Sequence, residues 1–324
     1  MRFVVTLLAL AAVSWAQAHP SLRLERTIEL PDVQGRIDHM SLDVEGRRLF
    51  VAALGNNTVE VIDTAAGKRV KTITGMAEPQ GVVYVPEQGR LYVANGHDGS
   101  VRAFDGKSFA HLKTIAYGDD ADNLRYDPAR RRVYVGYGNG GLGEIDADGN
   151  KAGDVKLDSH PEAFQLAKDG ARVFVNLPKS RKVAVVDRQS GKVTATWSTG
   201  IDFANYPMAL NDREHRLYVV TRMPARLLVF NTETGAIVEK LPVVGDCDDV
   251  FYDAARKRIY AIGGEGGISV FEEQDADHYR ESAKIATVKG ARTGFFSPEL
   301  NLLFVGIRRQ GSQAAAIRVY VPAE

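Results

Sequence analysis

Seven short apolar runs, each centred on an aromatic residue, recur along the chain. They are Leu49-Phe50-Val51, Leu91-Tyr92-Val93, Val133-Tyr134-Val135, Val173-Phe174-Val175, Leu217-Tyr218-Val219, Ile259-Tyr260-Ala261 and Leu303-Phe304-Val305. The central rings recur every 40 to 44 residues. A repeat of that period is one supersecondary unit copied in space. Each copy reads as strands. In the first, Ile37 to Asp43 is followed by a turn at Val44-Glu45-Gly46, then Arg48 to Ala53, a polar loop from Leu54 to Asn57, Thr58 to Asp63, a turn containing Gly67, and Lys68 to Ile73. Short β-rich segments separated by Gly, Asn and Asp breaks are strands joined by tight turns. Four antiparallel strands in roughly 40 to 45 residues make a propeller blade. The second strand is apolar at consecutive positions rather than alternate ones, as expected where both faces of a sheet are covered. The predicted fold class is all-β: a seven-bladed β-propeller of four-stranded antiparallel blades.

The ends of the chain bear on ring closure. The seventh copy supplies strands at Gly294 to Ser297, Leu302 to Ile307 and Ala315 to Val321, and then lacks an outer strand. The β-like segment Leu22 to Leu30 is predicted to supply it, because an unclosed ring leaves an unpaired edge. A second regularity fixes the register. Arg48, Arg90, Arg132, Arg172, Arg216 and Arg258 stand two residues before the rings, and the third strands end in Asp63, Asp105, Asp146, Asp187, Asn231 and Glu272. Antiparallel pairing sets these positions side by side, so structural cross-strand pairs are predicted: Arg48 with Asp63, Arg90 with Asp105, Arg132 with Asp146, Arg172 with Asp187. That reading takes precedence over an anion-binding surface.

Charges balance, 41 basic against 41 acidic, so no global field attracts nucleic acid. Arg2, the apolar stretch Phe3 to Trp15 and Ala16-Gln17-Ala18 read as a secretory signal cleaved between Ala18 and His19. The stretch is too short for a comfortable membrane span. The expectation is a periplasmic or secreted monomer: a signal peptide over residues 1–18 and one propeller domain over 19–324. Cys247 is the single cysteine, so there is no internal disulfide and no c-type haem attachment motif. Its neighbours Asp246, Asp248 and Asp249 disfavour a thiolate, and burial is expected.

Candidate chemistry lies where the copies differ. Twelve residues before each ring, at the start of the innermost strand, stand Asp38, Gln80, Asp122, Glu162, Tyr206, Asp248 and Arg292. The following positions include His39, Asn123 and Asp249. A repeat keeps what the fold needs, so variation at the channel mouth is where an individual function can sit. These ten residues form the predicted ligand site. The mouth reads as acidic, four carboxylates against Arg292, with Asp119, Asp120, Asp202 and Asp246 nearby and His39, His97 and His160 on the same face. Asp38, Asp122, Glu162 and Asp248 are the speculative ligands of a divalent cation, calcium or zinc. Lys179, Arg181, Arg222, Arg226, Arg308 and Arg309 form a basic arc in the outer loops. No G-x-S-x-G, P-loop or dinucleotide fingerprint is present in its proper context, and no catalytic residue is assigned.

The run Gly89-Arg90-Leu91-Tyr92-Val93-Ala94-Asn95 resembles the YVTN repeat of bacterial β-propellers, as do Thr58-Val59-Glu60-Val61-Ile62-Asp63 and the following Gly67-Lys68. The resemblance extends over the chain from about Leu22 onward. It implies relatives of the YncE-like and surface-layer types, mostly exported. Related propellers include lactonases, and YncE-like members are associated with single-stranded DNA. Three readings follow: a binding or scaffold propeller for an unknown small molecule or protein, which is favoured; a metal-assisted lactonase-type hydrolase; and a single-stranded DNA binder, disfavoured by the neutral charge.

Overall fold

The computed structural model describes residues 21–168 and 170–324; the signal segment read from the sequence lies outside them. Seven four-stranded sheets form the ring. In the first blade the strands are Met40–Asp43, Arg48–Ala53, Thr58–Asp63 and Lys68–Ile73, paired in that order from the channel outward. The last blade is built from Gly294–Ser297, Leu302–Ile307 and Ala315–Pro322, and its outer strand is Leu22–Leu30. Leu22 pairs with Pro322 and Leu30 with Ala315, so the N-terminal strand closes the ring as predicted. The innermost strand of the first blade begins at Met40 rather than Ile37. Asp38 and His39 still exchange backbone bonds with Ala52, but outside the regular ladder.

There is no single core. Among the described residues the buried apolar side chains fall into seven clusters, each between two neighbouring blades. Phe50, Tyr92, Tyr134, Phe174, Tyr218, Tyr260 and Phe304 are at most 2% exposed, which explains the period of the sequence. No helix among the described residues is long and apolar enough to cross a membrane.

The repeated arginines are structural, but their partners differ from those predicted. The register holds: Arg48 lies opposite Asp63, Arg90 opposite Asp105, Arg172 opposite Asp187. The side chains go elsewhere. Asp63, Asp105, Asp146 and Asp187 turn to the backbone N–H groups of the following turn, and Arg132–Asp146 is a loose 3.9 Å pair. A short Asp competes well for local N–H donors in a turn. The arginines reach the next blade instead. Arg48 donates to Gly106 O, Arg90 to Ala147 O, Arg172 to Thr232 O, Arg216 to Ala276 O and Arg258 to Ala323 O, all at 2.6–2.9 Å. In the third blade Arg130 makes this link, to Arg188 O. The arginine series therefore staples blades together around the ring.

Two outcomes are expected. Deleting residues 22–30 removes the buried Leu22, Ile28 and Leu30, so urea denaturation should show a loss of roughly 5 kcal/mol at about 1.5–3 kcal/mol per side chain. An unchanged midpoint would refute closure by this strand. Arg90→Met should cost about 1.5–3 kcal/mol, the worth of a hydrogen bond from a charged donor.

Candidate functional site at the channel mouth

The mouth is shaped by a repeated backbone device. Glu78, Asp120, Ala204 and Asp246 have positive φ, at 54°, 32°, 59° and 57°. Each stands two residues before a predicted mouth residue, just before an innermost strand or, for Ala204, at its second residue. In the same four blades the ladder slips just beyond, between Pro79 and Val82, Ala121 and Leu124, Asn205 and Met208, and Cys247 and Asp249. Bulges of this kind re-aim side chains next to binding sites. Here they release Gln80, Asp122, Tyr206 and Asp248 from the ladder so that they face the channel. Gly81 sits at one slip, where a Cβ would collide with the carbonyl oxygen of Asp122.

A cleft of about 220 Å³ opens at this mouth. Gln80, Asp122, Glu162, Tyr206, Asp248, Arg292 and His39 line it, as predicted, together with Arg36, Asp120, His160 and Arg222. Asp38 lies behind Arg36, which donates to it at 2.5 Å. Asn123 and Asp249 are buried beneath, against His39. Arg36 is absent from the sequence reading, and Asp120 and His160 were placed only in adjoining loops or on the shared face. All three stand two residues before a mouth residue. Alternation along extended chain returns i and i−2 to one side, a signal open to Arg36 and His160, whereas Asp120 reaches the cleft through its left-handed turn.

The acidic mouth is corrected to a mixed one. Arg222 donates to Asp248 at 2.6 Å and lies 3.3 Å from Asp246, while its guanidinium covers the Tyr206 ring at 4.1 Å. Arg292 lies 3.0 Å from both Asp246 and Asp248. Burial raises the Asp248 pKa, and the two arginines only partly offset this. Asp38 behaves alike: burial outweighs His39 and Arg36 and sets its pKa at about 6.

His39 and His160 differ in their surroundings. Burial would lower the His39 pKa, but Asp249 at 3.4 Å and Asp38 at 3.7 Å outweigh it and raise it to about 10. The Asn123 amide nitrogen lies 3.1 Å from His39 Nε2, which ties the imidazole to the third blade. His160 Nδ1 donates to Gly138 O at 2.6 Å, which turns Nε2 toward Asp122, 3.7 Å away. Burial is again outweighed, by Asp122 and Glu162, and the His160 pKa rises to about 9. Asp122 moves the other way: His160 and His39 overcome its burial and lower its pKa. Glu162 accepts no hydrogen bond from the described residues, and burial plus the charge of Asp122 push its pKa well above the usual carboxylate range.

Of the four carboxylates read as cation ligands, the structure unites Asp122 and Glu162 and adds His160, one donor atom of each lying within 4.8 Å of the others. Asp38 and Asp248 are instead engaged by arginines. His97 is exposed and does not line the cleft. The basic arc disperses: Arg226 pairs with Asp202, Arg181 stacks on Phe203, and Arg309 donates to Pro31 O. Cys247 is buried, its thiol donates to Val244 O, and burial drives its pKa far upward, as a structural cysteine requires.

No family model matches the sequence, and no curated protein matches it. Solved propellers do. One is a chain of the Kuenenia stuttgartiensis hydrazine synthase, with a TM-score of 0.73 and 16% identity over 89% of this chain and 97% of that one. Another is a chain of the mitotic checkpoint complex, with a TM-score of 0.80 and 16% identity over 100% of this chain and 99% of that one. At such identity the likeness concerns the fold alone.

The imidazoles give the protein a signed pH dependence. Both folded-state pKa values lie above the ordinary 6.5, so their stabilisation is complete below pH 6.5 and is lost as pH rises toward 9 and 10. Urea midpoints should fall across that window, and His39→Gln should flatten the fall; an equal slope in the variant would contradict the assignment. Gly81→Ala should destabilise the ring by about 1–3 kcal/mol, through the backbone shift that overpacking imposes.

Proposed function

We propose that this chain is an exported propeller of the YVTN-repeat kind that binds a small polar molecule at its channel mouth. One observation carries the reading. Six of the seven positions that vary from blade to blade face a single cleft. Its basic side chains, Arg222, Arg292 and Arg36, come from the fifth and seventh blades and the entry to the first, whereas Asp120, Asp122, His160 and Glu162 come from the third and fourth. The ligand that suits such a cleft carries an anionic group for the arginines and a hydrogen-bond donor for Glu162. Convergent polar groups in a concave site, supplied by separate elements, are what fixes a ligand's orientation. Export rests on the N-terminal signal pattern, and sequencing of the secreted form should begin at His19.

Binding is tested by thermal shift with a panel of amino acids and hydroxy acids on metal-free protein. A hit should lose up to about tenfold in affinity in Glu162→Ala, one uncharged hydrogen bond being worth about 0.5–1.5 kcal/mol, with the unliganded melting temperature nearly unchanged. No shift with any member of the panel would remove the small-molecule reading and leave a protein-binding platform.

A second reading is favoured by the convergence of Asp122, His160 and Glu162. One imidazole and two carboxylates suit zinc better than calcium, which takes six to eight oxygens. The Gly138 carbonyl orients the imidazole as outer-shell partners of metal ligands do. A bound cation would support lactone hydrolysis by polarising the carbonyl and lowering the pKa of a water on the same ion; His39, engaged by Asp249 and Asp38, is not a free base. Zinc should bind the metal-free protein at one equivalent by calorimetry and fail to bind His160→Gln. Equal binding by both proteins would dismiss the centre. The DNA reading gains no support, since Tyr206 is the aromatic residue lining the cleft and Arg222 covers it.

A further inference from the structure

A second cavity, of about 210 Å³, lies in the channel beneath His39, which lines both spaces. Met40, Val82, Leu124, Phe251 and Phe295, from the innermost strands of five blades, make its apolar walls, and Ser41, Gln165 and Asp249 also line it, Asp249 being engaged by His39 and the Gly294 N–H. Among them stands Arg125. Its guanidinium donates to Leu124 O at 2.8 Å and lies 5.8 Å from the centre of the Phe164 ring. Among the described residues no carboxylate comes within ion-pair distance of it; Asp249 and Asp122 act on it only at longer range. An arginine cannot shed its proton to escape such a place, and it presents five N–H donors in a planar fork. One backbone carbonyl leaves most of that fork unused. A fixed cation with free donors on an apolar wall is complementary to one chemistry: a carboxylate that takes the fork in a bidentate pair, followed by a short apolar tail. At roughly 30 Å³ per water-sized group the cavity has room for about seven such groups, close to the size of hexanoate with about eight non-hydrogen atoms.

We propose that the lower channel is a binding site for a short-chain carboxylate, with Arg125 holding the head group and the apolar walls the tail. This site is distinct from the mouth and does not depend on the function proposed there. The probes are hexanoate, 1-hexanol and acetate, titrated calorimetrically into the full chain. Hexanoate should bind the wild type, at least tenfold more tightly than hexanol, which lacks the charge, or acetate, which lacks the tail. Arg125→Gln should weaken hexanoate at least tenfold. Arg125→Lys, which keeps the charge without the fork, should weaken it less and serves if the glutamine variant does not fold. Glu162→Gln, at the mouth, should bind hexanoate like the wild type. Absence of hexanoate binding to the wild type, equal binding by the Arg125 variants, or loss in Glu162→Gln alone would each overturn the proposal.

Discussion

Each blade is apolar on both faces, and everything else in this protein follows from that. A sheet buried on two sides cannot end the structure; it needs a neighbour on either side, and the last blade must therefore meet the first. The seven inter-blade clusters meet this requirement around the ring. The N-terminal strand meets it at the seam, where Ile28 and Leu30 pack with Leu49 and Val51 of the first blade. The arginine staples serve the same need at the rim, satisfying turn carbonyls of the following blade with a charged donor. Blade-to-blade contact, rather than strand-to-strand pairing, is thus the interaction to which the repeat is tuned.

Closure also creates the site. Seven innermost strands bring their starting residues to one place, so side chains some forty residues apart in sequence share a cleft. Crowding charges there carries an electrostatic cost, which the protein offsets locally. Arg36 holds Asp38, and Arg222 and Arg292 clamp Asp246 and Asp248. The acids at the third and fourth blades have imidazoles instead, and Glu162 has neither a guanidinium nor a hydrogen-bond donor. The least compensated carboxylate in the cleft is therefore the one best placed to act on something from outside.

How much of this was legible in the sequence follows from period. The strands recur with the fold, so Arg48–Ala53, Thr58–Asp63 and the closing strand Leu22–Leu30 were read to the residue. Six mouth positions were legible for the same reason. What a repeat does not encode is where a long side chain ends. Arg48 and Asp63 are neighbours in register, yet one reaches the next blade and the other caps its own turn. Arg36 is not legible from the repeat, because the position two before the mouth residue varies from blade to blade. The lower cavity escaped because Arg125 is, in sequence, one more arginine on a strand; only the ring shows which of its neighbours lack charge.

His39 joins these layers. Its imidazole faces Asn123 of the third blade and Asp249 of the sixth while its backbone belongs to the entry of the first. It therefore links three blades across the channel. It is also the shared wall of two cavities, a polar one above and one below with both apolar and polar walls. A charged ring in that position must keep its carboxylates, since Asp249 is held in turn by the Gly294 N–H at 2.8 Å. The imidazole is consequently fixed from both sides. A side chain so constrained acts as a partition between the two spaces of one channel.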